Sequence, residues 1–182
     1  MTVKAVMVLN NKIVSAKPAE QSFTFNKATG KAVQYATPFS KYYPANGPNS
    51  LTDGFRGTKD IGKQWHAFNG GDMVATINFG EIITAKTISI GCIQNWAQWV
   101  FFPQWIKFET SEDGVNFSEV KTLANKIPAT EKDVRLQDFT IVFEEKKIKA
   151  VRLTAKNMGK CPKGHPGENQ ASWIFMDEII VE

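Results

Sequence analysis

Apolar residues recur at every second position along most of this chain, and that period restricts the fold more than any single motif does. Met73, Ala75, Ile77 and Phe79 share one face, as do Ile88, Ile90 and Cys92, then Ile106, Phe108 and Thr110. Phe139, Ile141 and Phe143 form a further set, followed by Val151, Leu153 and Ala155. A period of two belongs to half-buried strands. Turn signals separate these runs at Asp53-Gly54, Asn69-Gly70-Gly71, Asp113-Gly114 and residues 157–159. No segment carries a sustained 3.6-residue apolar stripe with caps. Short strands without alternating helices predict an all-β chain, an antiparallel sandwich or jelly roll rather than a parallel α/β sheet.

At 182 residues and 42% hydrophobic content, the chain suits one ordinary domain with a real core. The 22 Lys and Arg are scattered among 18 Asp and Glu, and the net charge of +4 gives no nucleic-acid signal. No apolar run approaches a membrane span, and no secretory leader follows Met1. Residues 1–24 read differently from the rest. They predict a hairpin, with strands around Val3 to Leu9 and Ile13 to Ala16 joined at Asn10-Asn11, and then a Pro-containing linker. One hairpin is not a domain. The expected organisation is therefore the end fragment of a preceding β-sandwich over 1–24 and the main unit over 25–182, with docking of the hairpin on the sandwich edge as the alternative.

Three places carry candidate chemistry. Cys161 and His165 lie in one loop at a C-x3-H spacing, but the only other histidine is His66, so a zinc site lacks its second pair. A Cys92–Cys161 disulfide is left open by the spacing. In the last strand, Asp177 and Glu178 sit among Trp173, Ile174, Phe175, Met176, Ile179, Ile180 and Val181. Successive strand residues point to opposite faces, so the two are not expected to converge as an acid/base pair. Each needs a counter-charge, a cation for one and Arg56 or Arg152 for the other, or an arginine pair without metal. The segment NWAQWVFFPQW places Trp96 and Trp99 in a loop, where an indole can stack on a pyranose while Asn95, Gln98 or His165 bonds hydroxyls. Packing is the competing role, with at least one of the two indoles expected to be buried and the two histidines structural.

Four segments in fixed order, SLTDGFRGT, WHAFNGGDMVATINFGE, FPQWIKFETSEDGVNFSEV and VRLTAKNMGKCPKGHPGENQASWIFMDEIIVE, resemble the discoidin or coagulation factor V/VIII type C family across roughly residues 25 to 182. The long HPG and WIFMDEI segments resemble most the non-catalytic module appended to bacterial β-N-acetylhexosaminidases, or chitobiases. The resemblance implies an eight-stranded, discoidin-like jelly roll with glycan-binding loops at one end, a structural Ca²⁺ and an extracytoplasmic location in a bacterium. The family's metal positions map to Asp53, Thr58 and Glu178. The DG loop also carries Ser50 and Thr52, a supply of hard oxygens suited to calcium.

Two functions from different classes follow. The first is a carbohydrate-binding module that holds a parent glycosidase near N-acetylhexosamine- or galactose-containing glycans through Trp96 or Trp99, Asn95 and the 157–170 loop with Lys160, His165, Glu168 and Asn169. The second is a structural domain that packs on the catalytic domain and binds no sugar. A free-standing enzyme is disfavoured, because no GxSxG, HExxH or phosphate-cradling glycine loop is present.

Overall fold

The computed structural model describes residues 2–23 and 25–182. Met1 and Thr24, part of the expected end fragment, lie outside the described residues. Eleven strands occur in chain order: β1 (Thr2–Ala5), β2 (Val8–Leu9), β3 (Lys12–Ile13), β4 (Ala19–Ser22), β5 (Val33–Tyr35), β6 (His66–Asn69), β7 (Met73–Gln94), β8 (Trp105–Ser111), β9 (Ser118–Ala124), β10 (Arg135–Ala155) and β11 (Trp173–Val181). Two short 3-10 turns, at Ser50–Thr52 and Trp96–Gln98, are the described helical elements.

The first four strands form one arm. β2 pairs with β3 and β1 with β4, and the turn residues Asn10 and Asn11 both adopt left-handed φ, 48° and 61°. Asparagine tolerates that region better than other non-glycine residues, which is why an Asn-Asn pair closes a two-residue hairpin. The returning strand extends to Ser22, through residues the sequence assigns to a linker. Its second half is held by a Lys4–Glu20 ion pair and a Thr2–Ser22 hydroxyl contact.

The remaining seven strands form one antiparallel, hydrogen-bonded system in the order β6-β11-β7-β10-β8-β9, with β5 on the first half of β7. Two strands are long because they turn a corner. β7 gives its first half to β5 and its second half to β11, and β10 pairs with β8 only beyond Ala150. Register shifts between Val142 and Lys146 and between Ile148 and Ala150 mark the bend, where Gly80 takes φ 80° and Ile82 is exposed. Such shifts re-aim strands and let one sheet fold over itself. The two layers enclose the main core, where Ile77 from one half of β7 and Ile90 from the other join Ile141, Leu153, Phe108 and Ile174, and a smaller cluster of Trp65, Ala67, Ile93, Val100 and Phe175 lies apart from it. The period-two faces read from the sequence are the faces that meet there, with Met73, Ala75, Ile77, Ile88, Ile90, Ile106 and Leu153 all at 0% exposure.

The corners also decide where the loops go. Both ends of the bent β7 lie at one pole, and residues 70–72, 95–104, 125–134 and 156–172 meet there. Their contacts are Lys156 with Asp72 at 3.0 Å, the Gln94 amide to the carbonyls of Pro128 and Glu131, and Gln104 N–H to Lys156 O at 2.8 Å. The opposite pole holds both ends of the sandwich, with Lys27 N–H bonded to Val181 O and Lys86 N–H to Glu182 O. Cys92 and Cys161 are both free and buried. Cys92 packs its thiol on Met176 Sδ, and Cys161 sits in the 156–172 loop near the carbonyl of Ala171, so the spacing that left a disulfide open does not become one.

Candidate functional site

At the loop pole, the segment after β7 turns sharply. Trp96–Gln98 forms one 3-10 turn, and Trp99 closes it at φ 64° with its N–H on Trp96 O. Neither indole is fully buried; both are half-buried, against the expectation that one would be interior. The reason is their floor. The 156–172 loop packs beneath them, and Gly167 lies so close to Trp99 that a Cβ there would sit 2.7 Å from the ring.

His165 fixes this arrangement. Its Nδ1 accepts the N–H of Gly167 at 2.9 Å, so the proton is on Nε2, which donates to Trp96 O at 2.8 Å. The ring meets Trp96, Trp99 and Phe101 edge-on at centroid distances of 4.5, 6.1 and 5.4 Å. Both nitrogens are spent within the protein and the residue is buried, which corrects the expectation that His165 bonds sugar hydroxyls. It is the staple of the pole. His66 is likewise internal, between Tyr35 OH and the carbonyls of Pro44 and Gly47, and burial lowers its pKa.

The other expected residues sit around this floor. Asn95 is nearly buried, and its side-chain amide donates to Gln98 Oε1 at 3.0 Å, leaving Gln98 at the surface. Lys160, Glu168 and Asn169 are exposed. Glu168 accepts the N–H of Gly164 at 2.8 Å, and Asn169 takes a left-handed φ of 66°. The structure thus brings the 95–99 turn onto the 160–171 loop. Lys132, from the segment before β10, escaped the sequence reading: its ammonium lies 5.0 Å from the Trp96 ring centroid. Its spacing from Trp96 gave no signal, because the β10–β7 register alone brings them together.

Substituting Gly167 with alanine is expected to push Trp99 off its floor. Stability should fall by about 1–3 kcal/mol, the usual cost of overpacking, and Trp fluorescence should shift red as the indole becomes wetter. An unchanged spectrum would mean that the ring does not rest on Gly167.

A second cluster lies midway down β11. Its register runs Met176 opposite Cys92 and then Ile179 opposite Ile90, so Asp177 and Glu178 together face the single residue Gly91. This β-bulge breaks the alternation assumed from the sequence. Both carboxylates reach the segment 54–57, rather than parting to opposite surroundings. Asp177 accepts Arg56 Nε and Gly57 N–H, each at 2.9 Å, and Arg56 also pairs with Asp138. Glu178 faces the N–H of Gly54 with both oxygens, at 3.2 and 3.1 Å. A side chain at Gly91 would collide with the Asp177 carboxylate, so the bulge requires glycine there. Arg152 is engaged elsewhere, bidentate on Glu109 at 2.9 and 2.8 Å.

The two carboxylates differ in charge balance. Asp177 has a guanidinium, and burial still lifts its pKa. Glu178 is at 0% exposure with no cationic partner among the described residues. Burial first, then the charges of Asp53 and Asp177, pushes its pKa up to about 8. The Asn26 Nδ2 faces it closely enough to favour the charged form, yet is buried without a hydrogen bond. A buried, uncompensated carboxylate beside a second one is a donor set for a hard cation. Asp53 and Glu178 fit that role. Thr58 is exposed, its hydroxyl accepting from Asp60 N–H and its carbonyl from Trp65 Nε1, so no contact brings it to the pair.

The sequence model of the F5/8 type C domain matches residues 31–174. Among solved structures, chitosan-binding module 1 from a chitosanase/glucanase of Paenibacillus sp. IK-5 superposes with a TM-score of 0.56 at 15% identity, covering 87% of this chain and 99% of that one. CpGH89CBM32-4 of Clostridium perfringens, in complex with GlcNAc-α-1,4-galactose, gives 0.52 at 16% identity over 87% and 94% of the two chains. The CBM32 of AlyQ, in complex with 4,5-unsaturated mannuronic acid, gives 0.51 at 13% identity over 83% and 93%. No curated protein sequence matches.

Proposed function

The chain belongs to the F5/8 type C domain family, and from that premise we propose that it is a non-catalytic carbohydrate-binding module whose ligand site is the loop pole around Trp96 and Trp99. The observation that carries this reading is the pair of half-buried indoles, each with a face open to solvent, seated on a floor of His165 and Gly167. A preformed aromatic rim stacks on the apolar face of a pyranose, and Gln98, Lys160 and Asn169 supply polar groups at its edge. The structural neighbours include proteins bound to GlcNAc-α-1,4-galactose and to GalNAc-β-1,3-galactose, which supports an N-acetylhexosamine- or galactose-containing ligand. We further propose a parent glycosidase of the β-N-acetylhexosaminidase type, an extracytoplasmic location, and Ca²⁺ held by Asp53 and Glu178. Bound there, the cation supplies positive charge that ties the DG loop to β11.

A protein-contact role is the second reading, and the arm favours it: Met7, Leu9 and Ile13 are 65%, 63% and 66% exposed, a set of apolar side chains with nothing packed on them among the described residues. Titrating N-acetylglucosamine, N-acetylgalactosamine and galactose against backbone amide shifts separates the two. Binding with a dissociation constant of about 0.1–1 mM is expected, with shifts in 95–104 and 157–170. Trp99→Ala should abolish it. Shifts confined to other residues, or none at millimolar sugar, would favour the contact role.

A further inference from the structure

We propose that the loop pole selects anionic glycans, those bearing carboxylate or sulfate groups, with Lys132 as the specificity-determining residue; this rests on the sugar-binding reading above. The observation is a set of exposed, unpaired lysines at that pole, one of them over an indole. Residues 70–72, 125–135 and 156–172 carry six basic residues against four acidic ones, half of the chain's net charge of +4, while residues 95–104 carry none. Glu131 and Asp133 both pair with Arg135, and Glu168 accepts the N–H of Gly164 and keeps its charge. Lys126, Lys132, Lys160 and Lys163 are exposed, and none is in an ion pair among the described residues.

Lys132 makes the set specific. Its ammonium lies over the Trp96 ring, which is where a sugar would stack. A neutral pyranose on that face has to displace the ammonium and gains nothing from it. A ring with a carboxylate or sulfate at its edge instead recruits the ammonium as an ion pair beside the indole, where the apolar surface excludes water and strengthens the attraction. Lys160 and Lys163, on the loop that floors Trp96 and Trp99, extend the same field along a chain of sugars.

The test compares a galacturonate tetramer, a sulfated galactan tetramer, neutral galactose and N-acetylglucosamine tetramers, polyglutamate and duplex DNA, by calorimetry on the whole chain. The first two separate carboxylate from sulfate recognition. At least one anionic sugar should bind roughly tenfold tighter than the neutral ones at about 0.1 M salt, and lose that advantage near 1 M, where the screening length contracts to about 3 Å. Lys132→Gln should weaken the anionic sugar about threefold to fivefold, as expected for one partly exposed ion pair, and Trp99→Ala should remove it. Equal, salt-insensitive binding of neutral and anionic tetramers overturns the inference and leaves the sugar-binding reading intact. Binding of no sugar overturns both. Equally tight binding of polyglutamate or DNA, or indifference to Trp99→Ala, shows bare charge attraction and overturns the selection of glycans.

Discussion

Replacing Arg56 with alanine is expected to destabilise the fold by about 3 kcal/mol, the lower end of what breaking a buried ion pair costs. The side chain joins β11 to β10 by pairing with Asp177 and Asp138 at once. These two partners are not equivalent. Asp138 is 46% exposed and its pair is softened by water, whereas Asp177 is 1% exposed and would be left with backbone N–H groups alone. Because Arg56 itself keeps 35% of its side chain exposed, solvent holds the cost at the low end. The pH dependence has a definite sign. Burial already raises the folded pKa of Asp177, and removing the guanidinium raises it further. A carboxyl that binds its proton more tightly when folded loses stability as pH rises, so the Arg56→Ala penalty should be smallest in acid and grow toward neutrality. Urea unfolding at two pH values checks this. Asp177→Asn in the Arg56→Ala background should recover much of the loss; a penalty under about 1 kcal/mol at both pH values would mean that the pair is ornamental.

Glu178 should produce the other large effect, through calcium. Without the metal, its carboxyl titrates from 4.5 in the unfolded chain to about 8 in the folded one. The folded state then holds a proton that the unfolded state has released, and stability should fall as pH rises from about 4.5 to about 8, by at most roughly 4 to 5 kcal/mol. Glu178→Gln, which stays neutral, should flatten that slope and melt higher than the parent at pH 8 in chelator. Calcium should do the opposite of protons. It favours the ionised carboxylate, so its stabilisation should be largest at high pH, reaching about 2.7 kcal/mol at a hundredfold excess over the dissociation constant. In Glu178→Gln that gain should disappear. Identical melting curves for the parent in calcium and in chelator at pH 8 would remove the metal from the account.

The sandwich was legible because half-buried strands impose a period of two, and Met73 through Phe79 or Val151 through Ala155 have no other way to read. What escaped was geometry that depends on a missing or added residue. The bulge at Asp177 and Glu178 leaves the local composition unchanged, since it arises from register against Gly91, a residue 86 positions before Asp177 whose need for a bare Cα shows only when the strands are paired. The same holds at the loop pole. Trp96, Trp99 and the 157–170 loop were recognisable as aromatic and irregular, but His165 looked like a ligand contact because its partners, Trp96 O and Gly167 N–H, are backbone groups that no side-chain pattern reports. Lys132 was invisible for the related reason that a residue 36 positions beyond Trp96, across the β8–β9 hairpin, carries no local cue.

The separation of the poles has a consequence for assembly. Lys27 N–H is bonded to Val181 O, so the chain enters and leaves the sandwich side by side, at the end away from Trp96 and Trp99. Copies strung on one polypeptide, or a copy inserted within another domain, would therefore all turn their tryptophans outward. A weak contact of about 1 mM repeated on a flexible tether gains avidity by 10²–10⁴ without any new interaction, provided that the sites can engage together. In that arrangement the proposed sites, each weak alone, would suit polymeric, repetitive surfaces.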